Sequence, residues 1–380
     1  MDQHEGCVNV VRWSNDGRFL ASGGDDKIVM IWQKSAFAGG SIFGGGGKVH
    51  VEHWRNHQQL RGHNGDVLDL AWGPGDVVLA TASVDNNIII WNMERMPEQI
   101  ATLRGHTSLV KGVCFDPVGK YLASQSDDKT MRLWKTSDWS QETVIDAPFQ
   151  ESGATTHVLR PGWSPDGSII VSAHAMNGGG PTAQIVERGS WKANRDFVGH
   201  KKAVSCTRFC SKVFEKPPSS AKENNDGKND MFVVVALGSR DRSFSVWITG
   251  LKRPFFVVND AFDQGVLDLS WSQDGKVLMA CSMDGSVAAV ILSAKEIGTP
   301  VPDSKLYDIM LDQYGKNFGT IANLKTSSGS MTNGAAKTPM VIENPEMLKT
   351  DTTIGNGNGT RTTNGHDAFM TGNSSTSTPG

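Results

Sequence analysis

Short apolar runs separated by small and turn-forming residues fill the first three hundred positions of the chain. In "LASGGDDKIVMIW", residues 20–32, a small-residue run leads into two aspartates, and an apolar run follows that closes on Trp32. "CVNVVRW" and "VLDLAW" have the length and β-branched content of strands, "NDG" at 15–17 is a turn, and "FLAS" opens the next strand. A third strand, "KIVMIW" or "NNIIIW", follows the aspartate turn, and a more irregular fourth lies around "EQIATL" at 98–103.

The opening pattern recurs at fixed spacing, which marks a repeated fold unit. "LATASVDNNIIIW" at 79–91, "LASQSDDKTMRLW" at 122–134 and "VALGSRDRSFSVW" at 235–247 each place an aspartate six residues before a tryptophan. The pairs are Asp26 with Trp32, Asp85 with Trp91, Asp128 with Trp134 and Asp241 with Trp247. His4, His63 and His106 precede their aspartates by 22 residues, whereas His200 and Asp241 are 41 apart because an insertion at 211–230 separates them. Nine residues after each histidine stands an aromatic: Trp13, Trp72, Phe115 and Phe209. Two further units, led by Trp163 and Trp271, have lost most polar markers, with Ala154 and Phe262 in the histidine position and Val290 in the last tryptophan position. Four strands per unit of 43 residues, the His63 to His106 distance, predict an all-β propeller with six visible blades.

Serine, histidine and aspartate in one unit invite a catalytic reading, since Ser22, Thr81 and Ser124 each stand four residues before an aspartate. A nucleophile needs exposure, a base and an oxyanion site, and has no reason to recur in every blade. The repetition instead predicts a structural network in which histidine, aspartate, hydroxyl and indole satisfy one another at a buried turn. Leu237 occupies the hydroxyl position of the fifth unit, so a shorter network is expected there. The residues just before the aspartates, Asp25, Asp127 and Arg240, are candidate partner contacts, with Val84 in the second unit.

Composition narrows the class. With 37 Lys plus Arg against 40 Asp plus Glu and a net charge of −3, the chain lacks the basic excess of a protein whose main task is holding DNA. Cys7, Cys114, Cys206, Cys210 and Cys281 form no CxxC pair, so reduced thiols are expected and no metal or other cofactor. "GGGGK" at 44–48 lacks the spacing and the Ser or Thr of a phosphate-binding loop, and reads as a connection between strands. No charged apolar leader opens the chain and no run reaches about 18 apolar residues, which suggests an intracellular soluble protein. The expected organisation is a propeller over 1–295 with inserts at 35–52 and 211–230, an extension over 296–325, and a low-complexity disordered tail over 326–380.

Specific stretches carry a resemblance beyond the repeat class. "CVNVVRWSNDGRFLASGGDDKIVMIW", "ASVDNNIIIWN", "THVLRPGWSPDGSIIVSAHAMNGGGPTAQIVER", "DFVGHKKAV" and "CSMDGSVA" resemble the WD40 propeller of the Hir-type (HIRA) family of histone chaperones, including its irregular fourth unit. The resemblance implies a nuclear, noncatalytic scaffold in replication-independent assembly of nucleosomes with the replacement H3 variant and in transcriptional co-repression of histone genes. It implies docking of a ubinuclein-type subunit on the propeller. Histones H3-H4 would be reached through the assembled complex, and an anti-silencing histone chaperone through a region with no counterpart here. No membrane or small-molecule ligand is implied. The family propeller has seven blades, so a first blade is expected beyond the six visible units. Competing readings are a WD40 scaffold of the replication-coupled chromatin assembly factor or of a ubiquitin ligase, an enzyme working from a propeller face, and a direct histone or DNA reader.

Overall fold

The computed structural model describes residues 3–35, 52–215, 231–321 and 340–342, the last three by backbone alone. These residues form six antiparallel sheets that follow one another along the chain, a six-bladed β-propeller. The first comprises Val8–Trp13, Phe19–Gly24, Ile28–Lys34 and Trp54–Arg61. The second comprises Val67–Trp72, Val78–Ser83, Ile88–Asn92 and Gln99–Leu103, and the third Val110–Phe115, Tyr121–Ser126, Thr130–Lys135 and Gln141–Ile145. The fourth is irregular: Gly162–Trp163 and Ile169–Val171 pair in sequence, and Gly180–Glu187 accepts both Ala175–Asn177 and Arg195–Val198. Val204–Glu215, Met231–Ser239, Phe244–Ile248 and Phe256–Val258 build the fifth. Only three strands, Val266–Trp271, Val277–Ser282 and Val287–Ile291, make the sixth among the described residues.

Local chemistry explains the repeated hairpins. In the turns after Trp13, Trp163 and Trp271, the hydroxyls of Ser14, Ser164 and Ser272 accept the N–H five residues on. A glycine at positive φ, Gly17 at 72° in the first case, lets the chain reverse where a Cβ would be strained.

Five apolar cores lie between successive sheets. Trp72 and Trp91 pack on Val10 and Ile31 of the first sheet, and Trp134 and Val113 on Ile88 and Leu103 of the second. Trp163 and Val186 meet Leu133 and Ile145, Phe209 and Trp247 meet Ile185 and Phe197, and Leu269 and Leu278 meet Phe214 and Val246. Burying each large apolar side chain contributes about 1.5–3 kcal/mol, so the sheets are held chiefly by their flanks. Trp32 stands apart, in a cluster with Leu20, Ile28, Met30 and Trp54 drawn from the first sheet alone. Among the described residues no core joins the sixth sheet to the first.

Several boundaries differ from those read in the sequence. Residues 211–215, assigned to an insert, continue the strand Val204–Glu215, because Val213, Phe214 and Glu215 pair with Val233, Phe232 and Met231 respectively after a register shift. The remainder of that insert and the "GGGGK" connection lie outside the described residues, as does the tail apart from Met340–Ile342. That short segment adds parallel to Gln99–Leu103 at the outer edge of the second sheet. The expected extension is a strap across one end of the ring. Ile297 ends a one-turn helix inside the core between sheets five and six, and Thr299–Pro300 pairs with the fifth sheet. Helix Asp303–Tyr314 reaches the fourth sheet, where the Tyr314 hydroxyl donates to the Asp166 carbonyl, and Ile321 ends buried in the core between sheets two and three.

Candidate interaction site: the aspartate turns and the ring hub

At one end of the ring each aspartate closes its own turn. One carboxylate oxygen of Asp26, Asp85, Asp128, Asp241 and Asp284 accepts the N–H two residues on, and the next residue takes positive φ, between 64° at Lys129 and 85° at Gly285. The other oxygen accepts a backbone N–H from the loop before the inner strand, donated by Glu5, Asn64, Thr107, Lys201 and Asp263 respectively. The aspartate therefore ties two loops together whether or not a histidine is present. This explains why Asp284 persists while Phe262, buried against Phe244, replaces the histidine of the sixth unit.

Where histidine is present, one tautomer satisfies every atom. Nδ1 of His4, His63, His106 and His200 lies 2.8, 2.9, 2.7 and 3.1 Å from its aspartate. Nε2 lies 2.7–2.8 Å from the hydroxyls of Ser22, Thr81, Ser124 and Ser245. The indole N–H groups of Trp32, Trp91, Trp134 and Trp247 donate to those same hydroxyls at 2.8–3.0 Å. A neutral ring donating from Nδ1 to the carboxylate leaves Nε2 to accept the hydroxyl proton, while the hydroxyl oxygen accepts the indole. These hydroxyls are at most 4% exposed, and each is committed to its histidine and its indole. Burial pushes the Asp85 and Asp128 carboxyls up, but hydrogen bonds from His63 and His106 and from backbone amides outweigh it and hold both at about 2. Burial also lowers the His106 pKa, keeping that ring neutral.

The fifth network overturns the expectation that it would be shorter. Leu237 removes the hydroxyl from the second strand, and Ser245, its direct cross-strand partner, supplies it from the third. The signal was a serine two residues before Trp247, where Met30, Ile89 and Arg132 stand in the other units. Of the candidate contact residues, Asp25 and Arg240 are exposed. The Asp25 carboxylate accepts from the Asn9 amide at 2.8 Å, and that of Asp127 pairs with the buried Lys111 ammonium.

The hub holds a second constellation: Arg12 and Arg208 stand one residue before a unit aromatic and Asp69 and Asp268 three before one, whereas Arg160 comes from a segment found in one unit only. Before the short strand Gly162–Trp163, the chain turns inward and bonds to the inner strands on both sides. Leu159 N–H donates to the Lys111 carbonyl, Arg160 N–H to Ser205, and Thr207 N–H returns to the Arg160 carbonyl. A Cβ at Gly112 would fall 1.7 Å from the Leu159 carbonyl oxygen, so only glycine admits this approach. The Arg160 guanidinium, on a residue 3% exposed, reaches Asp69 of the second sheet and the carbonyls of Asn9 and Leu267 on the first and sixth. Arg12 bridges Asp69 and Asp268, and Arg208 also pairs with Asp268. Burial opposes ionisation of Asp268, yet the charges of Arg12, Arg160 and Arg208 hold its carboxyl far below the usual range. Among the described residues no group of three or more His, Cys, Asp or Glu could hold a metal ion.

Comparison with known proteins places this architecture. Residues 1–297 match the family model described as the CAF1B/HIR1 beta-propeller domain. The chain is similar to Protein HIRA of Gallus gallus, 49% identical over 352 residues, and of Homo sapiens, 50% identical over 354, each covering 92% of this chain and 33% of the relative. It is 42% identical over 345 residues to Protein HIR1 of Mycosarcoma maydis, covering 90% of this chain and 32% of that protein. The chain thus spans about a third of the length of the curated relatives it matches.

Proposed function

The chain belongs to the CAF1B/HIR1 β-propeller family, whose members point to histone chaperoning and chromatin assembly, and from that premise we propose that it is a noncatalytic scaffold of a Hir-type complex. In this reading it acts in the nucleus, in replication-independent nucleosome assembly and in co-repression of histone genes. A ubinuclein-type subunit docks on the propeller, and H3-H4 is engaged through the assembled complex. What supports it is a likeness that runs through the irregular fourth unit as well as the regular blades, onto a ring whose recurrent polar residues are spent on its own loops. The end carrying the aspartate turns, with Asp25 and Arg240 exposed, is the proposed docking face.

The test is titration of the chain with an N-terminal ubinuclein fragment, with circular dichroism checking the fold. Saturable binding that is weakened by Asp25→Arg or Arg240→Glu supports both role and face. The family description also covers the replication-coupled factor, which gives the second reading. Binding to that factor's other subunits, with none to ubinuclein, would transfer the assignment there.

A further inference from the structure

The end of the ring opposite the aspartate turns carries a cavity of about 500 Å³ at the hub. It is walled where the inner strands finish, by Trp13, Trp72, Phe115, Trp163 and Phe209, so five of the six unit-leading aromatics converge there. Arg12 and Arg208 also line it. Behind them the hub charges do not balance: three guanidiniums, of Arg12, Arg160 and Arg208, face two carboxylates, of Asp69 and Asp268. The remaining acid in the wall, Asp116, is already paired with Arg188. The thiols do not supply the missing charge, since burial keeps Cys114 protonated and pushes Cys210 up to about 11. Arg208 donates through Nε to the Leu269 carbonyl and through Nη2 to Asp268, and among the described residues its Nη1 has no acceptor. An excess positive charge beside an unused guanidinium nitrogen, inside an aromatic wall, calls for a carboxylate flanked by apolar groups.

We propose that this hub mouth is a second docking site, which takes a partner-protein peptide by inserting an acidic side chain toward Arg208 and Arg12 and seating neighbouring apolar side chains on the aromatic wall. The site goes beyond the scaffold reading above and lies on the other end of the ring from Asp25 and Arg240. A peptide fits better than a free anion because about half of the wall is apolar, aromatic rings included, and would contribute nothing to a small ion.

The probe is the peptide acetyl-Leu-Phe-Glu-Leu-Gly-amide, titrated into the full chain and followed by tryptophan fluorescence, which Trp72 and Trp163 report. Expected is saturable binding that weakens as salt is raised and falls about tenfold or more when the glutamate is replaced by glutamine. Arg208→Gln should cause a comparable loss, and Arg240→Ala none. If Arg208→Gln does not fold, Ser211→Glu serves instead: it sets a competing carboxylate at the exposed rim and should abolish binding with the fold intact. Equal affinity for the glutamate and glutamine peptides, insensitivity to Ser211→Glu, or no saturation at about millimolar peptide would overturn the proposal. So would inorganic phosphate binding as tightly as the peptide, which would reduce the site to one for free anions.

Discussion

At the scale of single residues, the four networks show that hydrogen-bond topology, and not residue position, is what the fold requires. Ser245 is 2% exposed and satisfies both His200 Nε2 and the Trp247 indole. Ser245→Ala therefore leaves two buried polar groups without partners, and urea unfolding should register a loss of about 1–3 kcal/mol. Adding Leu237→Thr to that variant returns a hydroxyl from the facing strand position, and should recover much of the loss. A double variant no more stable than Ser245→Ala would show that the two positions are not interchangeable. Acid sensitivity follows from the same atoms. Asp85 and Asp128 sit near 2 in the fold against an ordinary 3.8, so the stability they contribute is complete above 3.8 and is lost as pH falls through 2. His106 is held below its ordinary 6.5, so the unfolded chain takes up that proton first and stability already declines below pH 6.5. The melting temperature should thus drop between about pH 7 and pH 5 in the parent and by less in His106→Gln, with a further drop in both on reaching the carboxyl range. The histidines, aspartates and tryptophans were legible because their spacing repeats. Ser245 and Arg160 were not, since one crosses to a neighbouring strand and the other belongs to a segment found in one unit only.

At the scale of elements, regular hairpins could be read from alternation and turn residues, whereas the elements that join blades could not. The strap is the clearest case. It buries Val301 against the core between sheets four and five and Ile321 in the core between sheets two and three, while its ion pairs, Lys212 with Asp303 and Lys305 with Glu215, remain partly open to solvent. No local pattern in the segment announces those distant partners. Exposed pairs contribute about 0–1 kcal/mol, and truncating a buried Ile about 2–5 kcal/mol. Ile321→Ala should accordingly lower stability by the larger amount and Lys212→Ala by the smaller, as measured by denaturant midpoint. Similar effects from both would mean that the strap is held by charge and not by burial. The fourth sheet follows the same logic, because its shortened inner strand frees the residues that carry Arg160 into the hub.

At the scale of the whole molecule, hub and flanks differ in how completely they are closed. The hub is tied across all six sheets by backbone bonds and by the Arg160 and Arg12 guanidiniums, yet the facing flanks of sheets six and one carry exposed apolar residues. Val11 and Trp13 stand out on one side, Trp13 at 54% exposure, and Met279, Val287 and Ile291 on the other, Ile291 at 79%. At two equivalent positions the ring is covered and bonded: Trp72 donates its indole N–H to the Arg12 carbonyl of the preceding sheet and Trp271 to that of Arg208, whereas the exposed Trp13 and the buried Trp163 have no such acceptor among the described residues. A further sheet or another molecule packed between the two flanks would cover both. Without such a cover, apolar flanks of this kind favour association between molecules. Sedimentation of the chain should therefore show oligomers that grow with concentration, and Val287→Lys with Ile291→Lys should return it towards monomer. Because both side chains already face water, the double variant should melt within a few degrees of the parent. A parent that stays monomeric at high concentration would show that these flanks are shielded by other means, and a variant that unfolds would show that they are already part of a packed core.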